Sequence, residues 1–353
     1  MCFHGGNIVS TAKQLGCQVS DLIDMSSNLT PFGPVPGLHT AIIQRLDEIA
    51  YLPETANESL VETFATKFRI KPQQVIAGNG TSEFIFALPT LFSGGRALII
   101  NPTYSDYRVS CERNGVEVQS FILHQENNFR VNLEDLADHL KGGELVFICN
   151  PNNPTSTLIS SRILLELITA HPLSTFVVDE SYLPFTREKS LLNFDLPPNV
   201  YILCSFSKIY GIPGLRLGFL VSTEENIHSL NKRIKPWGVN RLAQISGEFL
   251  LVHADKYVTS VVDFLEKERP EFIDQLNRIK GINVVPGEAN FILSHLEGDT
   301  NVTELQEKIL RKRIMIRNCD TFEGLGDGYF RISLKDKKTN TYCFECLKEI
   351  LGV

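Results

Sequence analysis

Short apolar runs alternate with longer stretches of helical periodicity through the middle of the chain. Residues 97–100, 116–123, 145–149, 175–178 and 200–203 are four to eight positions long and rich in Val, Ile, Leu and Phe, the texture of strands buried in a sheet. Between them, residues 134–141 and 160–170 repeat apolar positions at helical spacing. The alternation predicts an α/β domain around a mostly parallel central sheet. After Trp237 the texture changes. A long helical stretch over about 240–279 leads into strand-like segments at 290–293, 314–317 and 329–333 and a closing helix, which reads as a smaller α+β domain. The expected division is an N-terminal segment, 1–45, packing back on the small domain, a large domain over 46–238, and the small domain over 239–353.

Composition narrows the function classes. With 353 residues, 43% of them hydrophobic, the chain is long enough to bury two cores. A net charge of -7 gives no electrostatic footprint for nucleic acid, and the one basic cluster, Arg311-Lys-Arg313, is too short to change that. No apolar stretch approaches the roughly 20 residues that span a bilayer, and Met1-Cys-Phe-His-Gly-Gly6 lacks the basic start and apolar core of a signal peptide. A cytoplasmic location is expected, with no membrane partner. The eight cysteines are scattered rather than spaced as a disulfide framework. Cys149 and Cys204 fall in strand-like runs and read as core. Cys343-x-x-Cys346 has no second ligand pair beside it, and the eight histidines are dispersed, so no metal site is expected.

The predicted strand ends carry the chemistry. Ligands of open α/β sheets sit beyond the carboxyl ends of the strands, so Asn150-Pro-Asn-Asn-Pro-Thr155, Asp179-Glu-Ser-Tyr182 and Ser205-Phe-Ser-Lys208 are expected to converge. A lysine delivered from a strand end into such a turn is desolvated, which lowers its pKa and leaves an amine able to form a Schiff base. Ser205 and Ser207 can hydrogen-bond an anion beside it, and Arg216 can add its planar fork. Gly80, Thr81 and Ser82, ahead of the apolar helical run 84–91, offer backbone N–H groups to the same anion. An amine next to a phosphate cradle is what pyridoxal 5'-phosphate requires. Asp179 is placed to hold the ring nitrogen protonated, Tyr182 and Asn153 to polarise the ring O3', and Tyr104 to stack on the ring. Each residue also has an ordinary reading: a solvated loop lysine, a helix-capping aspartate, a turn asparagine, a core tyrosine.

Taken jointly and in this order, Gly80-Thr-Ser82, Tyr104, Asn153-Pro154, Asp179-x-x-Tyr182, Ser205-x-Ser-Lys208 and Arg216 resemble the fold-type I pyridoxal-phosphate enzymes over nearly the whole chain. The resemblance implies an α/β fold of the type I transferase kind, with Lys208 as the Schiff-base lysine, and Asp179 on the pyridine nitrogen. It puts Ser205, Ser207 and Arg216 on the cofactor phosphate. It also implies a homodimer with active sites near the subunit interface. Within that fold, His4-Gly-Gly-Asn-Ile8, residues 24–33, Lys235-Pro-Trp-Gly-Val-Asn240, residues 313–319 and Tyr329-Phe-Arg-Ile332 are similar to the threonine-phosphate decarboxylases of cobalamin biosynthesis, relatives of the histidinol-phosphate aminotransferases. This favours a decarboxylase acting on an O-phosphorylated amino acid, threonine phosphate or serine phosphate, to give an amino-alcohol phosphate for the cobamide nucleotide loop. The alternative is an aminotransferase. His4, Asn28, Arg317 and Arg331, with Asn153, would hold the substrate's phosphate and carboxylate.

Two positions depart from the family. Ser156 stands where relatives usually have glycine after Asn153-Pro-Thr155. Tyr51-Leu52-Pro53 replaces a Tyr-Pro pair whose tyrosine reaches the neighbouring subunit's cofactor phosphate, so that contact rests on whether Tyr51 serves from one residue away.

Overall fold

The computed structural model describes residues 5–298 and 301–352. Its centre is a seven-stranded sheet of β2 (Val75–Asn79), β3 (Arg96–Asn101), β4 (Glu117–Ile122), β5 (Leu145–Cys149), β6 (Thr175–Asp179), β7 (Val200–Ser205) and β8 (Leu217–Val221), preceded by a two-residue strand β1 (Ile23–Asp24). The spatial order is β2-β8-β7-β6-β5-β3-β4. All neighbours run parallel except β8, which is antiparallel to both β7 and β2. Burial explains the apolar runs. Every residue of β5 is buried, because helices cover both sheet faces, whereas the edge strand β4 has no buried position and exposes Glu117 and Gln119.

Strand direction gathers the functional loops. Because β8 is reversed, its start lies at the same edge as the end of β7, and the end of β2 lies there too. The register pairs Ser205 with Gly218 and Asn79 with Leu217. The residues after β2, β3, β5, β6 and β7, and the one before β8, therefore meet at a single sheet edge.

A second, antiparallel sheet follows, built from β9 (Ile282–Val285), β10 (Phe291–Leu296), β12 (Arg317–Asn318) and β13 (Tyr329–Ser333) in the order β12-β13-β10-β9. The N-terminal segment joins it. β1 pairs in parallel with β11 (Ile314–Met315), Ser333 N–H donates to the Met25 carbonyl, and Asn290 Nδ2 donates to that of Leu29.

Three expectations change. The helical stretch 240–279 is two helices, Arg241–His253 and Asp255–Leu276, separated at Ala254. The run 314–317 is not one strand: the chain changes sheets at Ile316, whose carbonyl accepts from Gln306 Nε2 instead of from a strand neighbour. Strands β2, β8 and β9 were not anticipated, since β2 and β8 carry Gly78 and Gly218 and sit inside motif segments that read as loops. Cys149 is buried, while Cys204 is only partly so; Cys343 and Cys346 are buried on the C-terminal helix Lys337–Leu351. Among the described residues, no helix is long and apolar enough to cross a membrane.

Candidate active site

The loops at the sheet edge line a cleft of about 240 Å³, closed on its far side by Ser26, Ser27 and Asn28 of the N-terminal segment and by Arg317, Thr321, Phe322 and Arg331 of the second sheet. Thr81, Ser82, Tyr104, Asn153, Asp179, Tyr182, Ser205, Ser207, Lys208 and Arg216 all face it. His4 lies outside the described residues; Gly5 lines the cleft.

One end gathers hydroxyls around a guanidinium. Ser205 ends β7, Ser207 sits on the single helical turn Phe206–Ile209, and Thr81 opens the helix Thr81–Ala87. Arg216 has φ +57, a conformation that side-chain-bearing residues adopt rarely and that costs backbone strain. Its Nη1 donates to Ser207 Oγ at 3.3 Å and to the Pro213 carbonyl at 3.4 Å. Gly80 lies directly against it: a Cβ there would stand 2.4 Å from Arg216 Nη2, and Gly80 also has φ +72. Glycine is thus required by backbone and by space: Gly80 makes room for the Arg216 guanidinium, while Thr81 and Ser82 line the cleft.

Lys208 follows on the same turn. Burial depresses its amine to about 8, with Arg331 and Arg216 pushing in the same direction and Asp24 and Asp179 opposing them. It keeps some accessible surface because it lines the cleft.

At the middle of the cleft Asp179 ends β6 in a buried position. Oδ1 accepts from the Ser181 N–H at 2.9 Å and from its hydroxyl, and Oδ2 accepts from the Tyr107 hydroxyl at 2.7 Å. Burial raises the carboxyl above the usual range despite those bonds. The turn is an Asx turn, not a helix cap, and it leaves the carboxylate one spare lone pair, on Oδ2. Burial pushes the Tyr182 phenol up to about 12, so it stays protonated and can donate; its ring packs edge-on against Phe291. The Tyr104 hydroxyl donates to Asp106 at 2.7 Å, and its ring meets Tyr107 edge-on.

The opposite wall is cationic. Arg317 and Arg331 are direct cross-strand partners in β12 and β13. Like charges placed opposite each other destabilise a strand pair unless an anion offsets them. Arg331 is buried; Nη2 donates to the Ser26 carbonyl at 2.9 Å, Nη1 donates to Asn153 Oδ1, and the guanidinium lies 5.3 Å from the Phe291 ring centroid. No carboxylate among the described residues pairs with it, and its Nε has no hydrogen-bond partner. Asn28, also buried, accepts from Ser333 while its Nδ2 lacks a partner. Arg317 Nη2 donates to Thr321 Oγ1 at 3.0 Å, and its guanidinium lies 5.7 Å from the Phe322 ring centroid.

The two departures are resolved differently. Ser156 adopts φ +61, the conformation a glycine would supply, and its buried Oγ accepts from the Ala289 N–H at 2.7 Å, so the turn survives with a tie to the second sheet. Tyr51 is 71% exposed and does not line the cleft of its own chain. Sequence reasoning missed Tyr107, Ser181, Thr321, Phe322 and the Ser26 carbonyl. Ser181 was findable from the Asx-turn spacing Asp179-x-Ser181. Tyr107 reads as one more core aromatic, and a backbone carbonyl leaves no mark in a sequence.

The sequence matches the aminotransferase class I and II family over residues 20–347. The chain belongs to that family. Among curated relatives of this class I/II chain, the threonine-phosphate decarboxylase of Salmonella typhimurium is 30% identical over 99% of the chain and 96% of its own length. The adenosylcobalamin biosynthesis bifunctional protein CobDQ of Leptospira interrogans is 29% identical over 98% of the chain, which spans 41% of that longer protein. Among solved structures, the histidinol-phosphate aminotransferase of Clostridium acetobutylicum superposes with a TM-score of 0.87 at 28% identity, covering 94% of the chain and 99% of its own.

The cofactor of this family is pyridoxal phosphate. The class I/II site fits it on its own chemistry. The cradle offers hydroxyls and a guanidinium to a phosphate, Lys208 is an amine close to neutrality, and the cost of burying the Asp179 carboxylate is what a protonated ring nitrogen would relieve. Only the neutral amine adds to an aldehyde. The rate at which cofactor-free protein takes up pyridoxal phosphate is therefore expected to rise about tenfold per pH unit below 8 and to level off above it, followed by absorbance.

Proposed function

We propose that this class I/II enzyme decarboxylates an O-phosphorylated amino acid, threonine phosphate or serine phosphate, to the corresponding amino-alcohol phosphate. The observation that carries the reading is the cross-strand pair Arg317 and Arg331 on the cleft wall facing Lys208. Two guanidinium groups and the unpartnered Asn28 amide suit a substrate with two anionic groups. The names of two relatives, a threonine-phosphate decarboxylase and a bifunctional cobalamin-biosynthesis protein, support the same class of substrate.

In this reading Arg317, with His4, anchors the phosphate, while Asn28 and Arg331 act on the phosphate or the carboxylate according to the pose. Bound at the site, pyridoxal phosphate supplies the electron sink that accepts the pair from the breaking Cα–carboxylate bond. Arg317 and Arg331, by gripping both anionic groups, would fix the orientation of that bond, and such positioning can contribute orders of magnitude in rate. Asp179 would favour a protonated ring nitrogen in a bound cofactor, and Tyr182 and Asn153 would offer donors to its ring oxygen. Once CO₂ has left, Lys208 Nζ or a water returns a proton to Cα. Ile43, Ile49, Tyr51 and Leu52 are all exposed within ten residues of sequence, which suits burial against a second copy of the chain that would bring Tyr51 toward the neighbouring site.

The test is purified enzyme incubated with O-phosphothreonine and with O-phosphoserine, without a keto acid, while CO₂ and the amine phosphate are quantified. Release of both products in equal amounts is expected from at least one substrate. The aminotransferase alternative, favoured by the likeness to the histidinol-phosphate aminotransferase structure, predicts no CO₂ and a dependence on 2-oxoglutarate with histidinol phosphate.

A further inference from the structure

The loop between β12 and β13 carries Thr321 and Phe322 into the cleft, yet what fixes it belongs to the other sheet. Glu323, next in sequence, forms a two-pronged ion pair with Arg108: Nε to Oε2 is 2.8 Å and Nη2 to Oε1 is 3.0 Å. Ser120, on the edge strand β4, donates to Glu323 Oε1 at 2.6 Å and accepts from Arg108 Nη2 at 2.7 Å and from Asn101 Nδ2 at 3.1 Å. Arg108 also reaches Glu112 at 3.2 Å. Beside this cluster Gly324, at φ +79, settles onto Ile122, where a Cβ would stand 3.1 Å from the Ile122 side chain. The loop is therefore clasped to the large sheet by a charged fork, a hydroxyl with all its bonding capacity used, and a close backbone approach.

Arg108 sits on the helix Asp106–Arg113, one residue after Tyr107, which holds Asp179. Thr321 and Phe322, two and one residues before Glu323, contact the Arg317 guanidinium. One ion pair thus joins the element that steadies the Asp179 carboxylate to the loop that steadies the substrate-side arginine. An isolated exposed pair contributes little, but a bidentate pair locked into a network is the exception.

The geometry points to Glu323 and Arg108 as positioning residues for the substrate phosphate: their clasp holds Thr321 and Phe322 closed against Arg317 across the mouth of the cleft. This rests on reading Arg317 as the phosphate grip. Neither residue touches the reacting atoms or the cofactor cradle, so breaking the clasp raises KM and leaves cofactor binding near wild type.

The experiment is a cycle of Glu323→Gln, Arg108→Gln and the double variant in the pyridoxal-phosphate-loaded enzyme. Each single variant is expected to raise KM by about fivefold, and the double variant by no more than either single. In the same proteins without substrate, amide hydrogen exchange over residues 319–327 is expected to speed up, with the cofactor absorbance band unchanged. Unchanged KM, additive single effects, or unaltered exchange in that segment would each overturn the inference. If the enzyme turns out to transaminate histidinol phosphate, the cycle is run on that phosphorylated substrate, so failure of the decarboxylase reading and failure of the clasp remain separate results.

Discussion

Replacing Lys208 with alanine is expected to lower turnover by about four orders of magnitude or more, because under the proposed assignment the covalent link to the cofactor and the amine that returns a proton to Cα would be lost together. Two further readouts separate this from misfolding. Borohydride reduction of the wild-type holoenzyme leaves the cofactor attached at position 208, detectable by mass spectrometry, and the variant retains no such label. The cofactor-free variant is also expected to be more stable than wild type at neutral pH. In the folded chain the amine is depressed to about 8, against about 10.4 when unfolded. The unfolded state binds more protons between those values, so wild-type stability rises with pH across that window. The gain from removing the lysine is therefore full below pH 8 and vanishes above about 10.4. Normal turnover, or a stability gain that grows with pH, would contradict the assignment.

What the chain discloses by pattern is the part dictated by continuous burial. Strands β5, β6 and β7 are covered on both faces, so their apolar runs announce them and the residues at their ends, Asn153, Asp179 and Lys208, could be singled out as chemistry. The reversed strand β8 was hidden because Gly218 and the arginine before it read as motif rather than strand. That reversal is what brings Arg216 and the Gly80 loop to the same edge as Lys208, so their convergence was argued from chemistry and not from topology. On the substrate side the sequence offered Arg317 and Arg331 as separate residues. Their status as direct cross-strand partners depends on the chain changing sheets at Ile316, a long-range arrangement with no local signal. The Arg108 and Glu323 clasp joins positions 215 apart and was beyond any reading of local pattern.

Asp179 gives the second large effect, with opposite signs in the free and loaded protein. Asp179→Asn keeps the shape of the side chain and an oxygen for Ser181, while removing the charge proposed to hold the ring nitrogen protonated. Turnover is expected to fall by about a thousandfold, with cofactor bound more weakly. In the cofactor-free protein the same change stabilises. Burial, the leading influence, raises the folded carboxyl above its unfolded value of about 3.9, despite the bonds from Ser181 and Tyr107. The folded state then holds its proton more tightly, so this group's contribution is full below pH 3.9 and is lost as pH rises through the folded value. Asparagine has nothing to lose, and the cofactor-free variant should melt above wild type at pH 7 and together with it in acid. Saturating pyridoxal phosphate should reverse the order at pH 7, since only the wild type gains the attraction between carboxylate and ring cation. A variant that melts below wild type in the cofactor-free state at pH 7 would mean that the buried charge is stabilised by the protein alone, and that the site is not built around an absent cation.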